Sequence, residues 1–125
     1  MDRLAAEGTK FTSFYVASGV CTPSRAAFMT GCYPRRLKLH ESALGRPVLQ
    51  PLATRGLHPD ETTVAEVLRG AGYATACIGK WHLGAHPQFH PNKRGFDDYF
   101  GMLGGGHIYV PGGKAAYPSS VLMNA

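Results

Sequence analysis

Long apolar runs are absent from this sequence. No stretch comes near the roughly 20 apolar residues that a helix needs to cross a bilayer, which excludes a helical membrane span. The start, MDRLAAEGTKF, has no charged segment followed by an apolar one, so no signal peptide is predicted in this chain. The residues themselves therefore leave localisation open.

Cysteine and acidic residues are also scarce. Three cysteines at irregular spacing define no disulfide framework and leave the redox compartment open. Only 8 Asp and Glu residues face 13 Lys and Arg residues, so the formal net charge is +5, which suits an anionic partner. Apart from Arg35, Arg36 and Lys38, the basic residues are scattered and not interleaved with aromatic ones. This argues against nucleic acid as the partner.

What the sequence does contain indicates one modest α/β domain. Hydrophobic residues make up 44% of 125, enough for a core, and no repeat or boundary divides residues 1–125. The predicted helices are Asp2–Glu7, one that has Pro23 in its first turn and continues through Ser24–Thr30 to Gly31 as its stop, and one that begins at the Thr63–Glu66 capping box and ends at Gly72. The predicted strands are Phe11–Val16 and Tyr73–Ile78, the second buried on both faces. Between them, Tyr33–Pro59 is predicted to be a long surface loop.

The run CTPSR places a cysteine at a predicted helix start. Pro23 suits the first helical turn, where backbone N–H groups favour negative charge next to Cys21. Arg25 lies four residues further on and offers a planar donor fork for sulfate, phosphate or carboxylate oxygens. The alternative is a buried cysteine beside an ordinary helix. A phosphatase Cys-loop is excluded because it needs a longer spacing between cysteine and arginine.

A second group of polar residues lies in the run GKWHLG. Lys80 and His82 point the same way if the segment is extended, while Trp81 packs on the other side. Lysine supplies a positive charge for an anionic oxygen, and histidine transfers protons near neutral pH. The alternative is a pair of solvated surface groups. The other two cysteines, Cys32 and Cys77, are predicted to be structural.

Three histidines suggest a further alternative, a small zinc site. His82, His86 and His90 recur every four residues, a spacing that places ligands on one face of a helix. Pro87 lies inside that run and breaks the helix that the spacing requires.

These motifs resemble the signatures of the type I, formylglycine-dependent sulfatases. The first signature is matched by Cys21-Thr22-Pro23-Ser24-Arg25 followed by Thr30-Gly31, and the second by Gly72-Tyr73-Ala74-Thr75 and Ile78-Gly79-Lys80-Trp81-His82. The flanking runs DRLAAEGTKFTSFY and RGFDDYFG also look like sulfatase sequence. The resemblance implies an alkaline-phosphatase-like α/β fold, a mixed sheet flanked by helices. Residues 1–125 then form a single partial segment of its N-terminal domain, truncated at both ends.

The resemblance also implies a chemistry. Cys21 is the residue that such enzymes oxidise to formylglycine, and Pro23, Ser24 and Arg25 match the positions that the maturation enzyme reads. One hydroxyl of the hydrated aldehyde attacks sulfur, and the other allows the sulfate to leave. Arg25 then holds the charged environment of the hydrate, Lys80 binds a sulfate oxygen and His82 hydrogen-bonds the hydrate. His107 lines the substrate site.

Calcium is the implied metal, with the formylglycine from Cys21 as one of its contacts and most ligands outside this chain. Asp97 and Asp98 do not match the family's metal motif, so the chain is predicted to hold no complete metal site and to turn over little alone. The implied partners are a sulfated small molecule or glycan and a formylglycine-generating enzyme, and relatives are commonly exported. The alternative is a non-catalytic sulfatase-like protein that binds an anion through Arg25, Lys80 and His82.

Overall fold

The computed structural model describes residues 1–51 and 53–106 together with the backbone of 122–123. The helices are α1 (Asp2–Glu7), α2 (Cys21–Thr30) and α3 (Val64–Gly70), the strands are β1 (Ala76–Lys80), β2 (Asp98–Met102) and β3 (Leu122–Met123), and two 3₁₀ turns span Pro87–Phe89 and Pro91–Lys93. None of the helices among the described residues has the length and apolarity to cross a membrane. His107 lies outside the described residues.

The three strands form one small mixed sheet in the order β1-β2-β3. β1 and β2 run parallel, in a register that pairs Ala76 with Asp98 and Lys80 with Met102, and β3 runs antiparallel to β2. At the paired glycines the strands approach so closely that a Cβ on Gly101 would lie 1.8 Å from the Gly79 carbonyl oxygen. The helices and this sheet make a partial α/β fold, in agreement with the predicted class.

Local capping signals set the ends of two helices as predicted. Gly31 ends α2 in the left-handed conformation, at φ 68°, where glycine has no steric cost. Thr63 and Glu66 form the predicted capping box: the Thr63 hydroxyl accepts the Glu66 N–H, and the Glu66 carboxylate accepts the Thr63 N–H. Helix α2 begins at Cys21 and includes the whole CTPSR run, in agreement with the prediction that Cys21 lies at or just before a helix N-terminus.

Both predicted strands need correction. Residues 11–16 form no strand: they are exposed, the backbone bends at residues 12–13, and the Phe11 and Phe14 rings lie edge-to-face at 5.9 Å. Their side chains favour a strand, but nothing among the described residues pairs with them. The second strand begins later than predicted, at Ala76, and it is not buried on both faces, since Ile78 is 80% exposed.

The core lies between α2, the carboxyl end of β1 and the long loop. Four loop leucines are buried in it (Leu37, Leu39, Leu49 and Leu57), so Tyr33–Pro59 is not only a surface loop as predicted. Ala26 of α2 and Leu83, which follows β1, are completely buried in the same core. The core therefore fixes α2 and the residues after β1 relative to each other, and these are the two segments that carry the predicted site.

Candidate active site

Cys21 and His82 meet although 61 residues separate them along the chain. The Cys21 Sγ lies 3.0 Å from the His82 Nδ1, at the first residue of α2. The other ring nitrogen, Nε2, lies 2.8 Å from the Leu49 carbonyl oxygen. Since a carbonyl can only accept a hydrogen bond, Nε2 carries the proton in the neutral ring, and Nδ1 presents its lone pair to Cys21.

Thr22 fixes the position of His82 from the side of α2. Its hydroxyl donates to the His82 carbonyl oxygen at 3.2 Å and accepts the Leu49 N–H at 3.2 Å. The side chain is 1% exposed, so both bonds are shielded from water. Sequence reasoning did not single out Thr22, because only the fold brings its two partners to it.

His82 itself is held in an unusual state. It is 6% exposed, and its backbone has φ 58°, a left-handed conformation that is strained for a residue with a side chain. Burial lowers the pKa of the imidazole, and the positive charges of Lys80 and Arg25 lower it further, while the hydrogen bond to the Leu49 carbonyl opposes them. The ring is therefore kept neutral, with Nδ1 free to accept a proton from residue 21.

Arg25 is bound to the end of β1 and not to Cys21. Its Nη1 donates to the Lys80 carbonyl oxygen at 2.7 Å. Arg25 and Lys80 line an open cavity of about 370 Å³ together with Cys77 and Trp81. Burial raises the pKa of the Cys77 thiol, and the Arg25 charge opposes that shift.

The two predicted groups therefore converge only in part. Cys21 contacts His82, and Arg25 contacts the backbone of Lys80, but Lys80 and His82 line separate depressions. Trp81 packs on the other side as the alternation predicts: it is buried, and its indole N–H donates to the Phe89 carbonyl oxygen at 2.8 Å.

The three histidines of the zinc alternative do not come together. His82 faces Cys21, His86 is exposed before a 3₁₀ turn, and His90 is buried edge-to-face against Tyr99 at 5.0 Å. The Asp97 carboxylate is used for the fold, because it accepts the Thr75 N–H and hydroxyl, each at 3.0 Å. Across residues 1–51 and 53–106, no group of three or more His, Cys, Asp or Glu side chains lies close enough together to hold a metal ion.

Comparison with known proteins places this geometry in a family. A family model described as Sulfatase matches residues 1–112. The chain is 50% identical over 103 residues to N-acetylgalactosamine-6-sulfatase from Sus scrofa, covering 81% of this chain and 20% of that protein. It is 48% identical over 102 residues to arylsulfatase G from Mus musculus, covering 82% of this chain and 18% of that one.

Solved structures agree with the sequence match. The crystal structure of Ps i-CgsB superposes with a TM-score of 0.76 at 44% identity, covering 88% of this chain and 23% of that one. A second crystal structure, of Ps i-CgsB in complex with k-i-k-neocarrahexaose, gives a TM-score of 0.70 at 43% identity over 78% of this chain and 20% of that one. The chain spans about a fifth of the length of the curated relatives that it matches. On the strength of the match over residues 1–112, the chain belongs to the sulfatase family.

Proposed function

We propose that this chain is the nucleophile-bearing segment of a sulfuric ester hydrolase, within a larger alkaline-phosphatase-like domain, and that Cys21 in its formylglycine form is the nucleophile. The observation that carries this proposal is the 3.0 Å contact between the Cys21 Sγ and the His82 Nδ1. It joins the two sulfatase signatures at a helix N-terminus, where backbone N–H groups stabilise developing negative charge.

The hydrated aldehyde would supply both the hydroxyl that attacks sulfur and the hydroxyl that later lets sulfate leave. His82 is oriented to accept a proton from that residue, because Leu49 fixes its Nε2–H and Thr22 fixes its backbone. Lys80 and Arg25 bring positive charge to the carboxyl end of β1, which favours a sulfate group over a neutral one. Each role is supported by position and charge, and each is open to test by substitution.

The substrate is proposed to be a sulfate monoester of a sugar or another small molecule. Two of the relatives are named for sulfatase activity, one toward N-acetylgalactosamine 6-sulfate, and a similar crystal structure contains k-i-k-neocarrahexaose. His107 is proposed to line the substrate site of the whole enzyme, and the calcium ion of that enzyme is proposed to take most of its ligands from outside this chain.

A second candidate function is anion binding without turnover. Among the described residues, neither Arg25 nor Lys80 lies within ion-pair distance of a carboxylate, so both charges are available to an anion. This function needs the same cations but no modification of Cys21.

Conversion of Cys21 separates the two functions. The chain is co-expressed with a formylglycine-generating enzyme, and the tryptic peptide Phe11–Arg25 is weighed by mass spectrometry, with Cys21→Ala as the control. Sulfatase function predicts an aldehyde at residue 21. An intact thiol, under conditions that convert a known sulfatase, would favour the anion-binding function.

A further inference from the structure

The pattern of the maturation motif occurs twice in this chain. Cys21, Pro23 and Arg25 are separated by single residues, and the run CYPRR repeats that spacing with Cys32, Pro34 and Arg36. The third cysteine, Cys77, is followed by neither proline nor arginine at these positions. Two of the three cysteines therefore carry the same local pattern.

The second run is at least as open to an enzyme as the first. Cys21 is part of helix α2, whereas Cys32 follows the Gly31 cap and begins a stretch of turns. The Cys32 thiol is free and partly exposed, and Arg36 Nη1 donates to its Sγ at 2.7 Å. An enzyme that reads an extended peptide has no helix to unwind around Cys32.

We infer that Cys32 is a second site of formylglycine formation and that the maturation enzyme recognises it through its spacing from Pro34 and Arg36. The inference depends on the proposed function only through the shared maturation enzyme. At this residue the Cβ–S bond and one Cβ–H bond break, and a C=O bond forms. Molecular oxygen supplies the aldehyde oxygen, its second atom leaves as water, sulfur leaves as hydrogen sulfide, and a thiol reductant supplies the two further electrons.

The second aldehyde would lie away from the sulfate chemistry. Cys32 lines a depression with Phe14, Tyr15 and Phe28, and His82 is not part of it. A residue in these surroundings lacks the proton acceptor that Cys21 has, so its aldehyde is a reactive surface group and takes no part in hydrolysis.

One digest tests both cysteines. After co-expression with the maturation enzyme, trypsin places Cys21 in Phe11–Arg25 and Cys32 in Ala26–Arg35. We expect an aldehyde in both peptides of the wild-type chain. Pro34→Ala should leave Cys32 a thiol, and Tyr33→Ala, the matched control that keeps the spacing, should still be converted. The readout is covalent, so a variant that fails to fold still reports.

The outcomes distinguish the two proposals. A thiol at Cys32 beside an aldehyde at Cys21 overturns this inference and leaves the proposed function standing. An aldehyde at Cys32 beside a thiol at Cys21 supports the inference and counts against the proposed function. Conversion of Cys32 that survives Pro34→Ala would also overturn the inference, because the motif would not be what is read.

A different observation concerns Arg55, which lies beside His82, and two basic residues, Arg35 and Lys38, of the turn whose backbone Arg55 contacts. The Lys38 N–H donates to the Arg35 carbonyl oxygen at 3.1 Å, and the Arg55 guanidinium donates to the Lys38 carbonyl oxygen. Lys38 has φ 53°, one of two non-glycine residues with positive φ among those described, the other being His82. In the described part of the chain, no carboxylate lies within ion-pair distance of these three side chains.

This basic cluster is continuous with the candidate active site. Arg55 lines the same depression as His82, together with Leu49 and Gly104. We propose that Arg55, with Arg35 and Lys38 behind it, binds a second anionic group of a multiply sulfated saccharide. The choice of a sulfated ligand rests on the proposed function. The choice of a saccharide over nucleic acid rests on the lack of aromatic residues interleaved with these cations.

Calorimetry on the unmodified chain tests this subsite without any turnover. The probes are two chondroitin disaccharides that differ only in carrying one or two sulfates, titrated at low salt. We expect about five-fold tighter binding of the disulfated probe, the size of one partly exposed charge contact. Arg55→Met should abolish the preference. Arg69→Met, the matched control, should keep it, because Arg69 lies near Asp97 at the opposite end of β1.

Three results would overturn the subsite: equal binding of the two probes, equal loss of preference in Arg55→Met and Arg69→Met, or equally tight binding of a single-stranded DNA of matched charge. If Arg55→Met fails to fold, Arg35→Met carries the same test, since the Arg35 side chain is exposed. None of these readouts depends on formylglycine, so they are independent of the test of the proposed function.

Discussion

Strand β1 and the residues that directly follow it differ sharply in burial. Beyond the carboxyl end of the strand, Trp81 is 2% exposed and His82 is bonded on three sides, to Cys21, Thr22 and Leu49. Within the strand, Ile78 is 80% exposed although its sequence predicts a buried position. The residues that directly follow β1 are thus fully packed, whereas one face of the strand itself is open.

This difference indicates that residues of this chain alone fix the geometry around His82. The contacts that orient His82 come from α2, from the loop around Leu49 and from the Leu103 carbonyl oxygen, which accepts the His82 N–H at 3.0 Å, and all of them lie within this chain. The open face of β1 belongs to a chain that spans about a fifth of the length of its relatives. Substitutions among the packed residues after β1 and on the open face of β1 should therefore differ greatly in their effect on the free energy of unfolding.

The largest effect is expected from Trp81→Ala. This change removes a buried indole that packs edge-to-face on Phe96 at 6.1 Å and donates to the Phe89 carbonyl. We expect the free energy of unfolding to fall by about 3–5 kcal/mol, measured by urea denaturation followed by circular dichroism. A loss below about 1 kcal/mol would contradict the close packing of Trp81 after β1.

Thr22→Val should lower the free energy of unfolding by less, and it acts on the same packed region after β1. It keeps the shape of the side chain while removing the bond to the His82 carbonyl and the acceptor of the Leu49 N–H, both buried. We expect a loss of about 1–3 kcal/mol in the same measurement. Thr54→Val, at an exposed threonine, is the control and should change little. Equal effects of the two changes would contradict the bridging role of Thr22.

Acidification should also lower the free energy of unfolding, because two histidines are buried in the folded chain. Burial lowers the pKa of both His82 and His90, so the unfolded chain binds more protons than the folded chain once the pH falls below the ordinary histidine pKa. The stability that these neutral rings provide is present above about pH 6.5 and is lost as the pH falls toward their folded pKa values. His90→Asn should make the fall in unfolding free energy between pH 7.5 and pH 5 shallower, whereas His86→Asn, at an exposed histidine, is the matched control. A steeper fall in His90→Asn would contradict this sign.

The smallest effect is expected from Ile78→Thr on the open face. Threonine keeps the branching that suits a strand, and the side chain is exposed in the folded chain. We expect the free energy of unfolding to change by less than about 0.5 kcal/mol. A loss above about 1 kcal/mol that grows with protein concentration would show that a second copy of the chain covers this face.

Features set by a few neighbouring residues were predicted correctly from the sequence. The Thr63–Glu66 capping box and the Gly31 stop depend only on contacts within one turn, and both are present. The parallel pairing of β1 with β2 and the burial of Leu49 are long-range, and no local pattern encodes them. For the same reason Phe11–Val16 was predicted to be a strand: its side chains suit a sheet, but strand formation needs a partner.

The same distinction between local and long-range features applies to the candidate site. The motif spacing identified Cys21 and Arg25 as residues at a helix start, which the structure confirms, but it did not predict that Arg25 binds the Lys80 carbonyl. The proximity of Cys21 and His82 was implied only by the family resemblance, since 61 residues separate them. Thr22 and Arg55 had no signal of their own, because their importance comes from neighbours that the fold brings to them.

The single tryptophan of the chain has a practical consequence. Trp81 is the only one in 125 residues, it is buried, and it directly precedes His82. Its intrinsic fluorescence is therefore an unmixed optical signal from the turn that carries the candidate base. A blue-shifted emission would report that this turn is assembled, and the shift of that emission to the red would record its loss in real time, with no label attached.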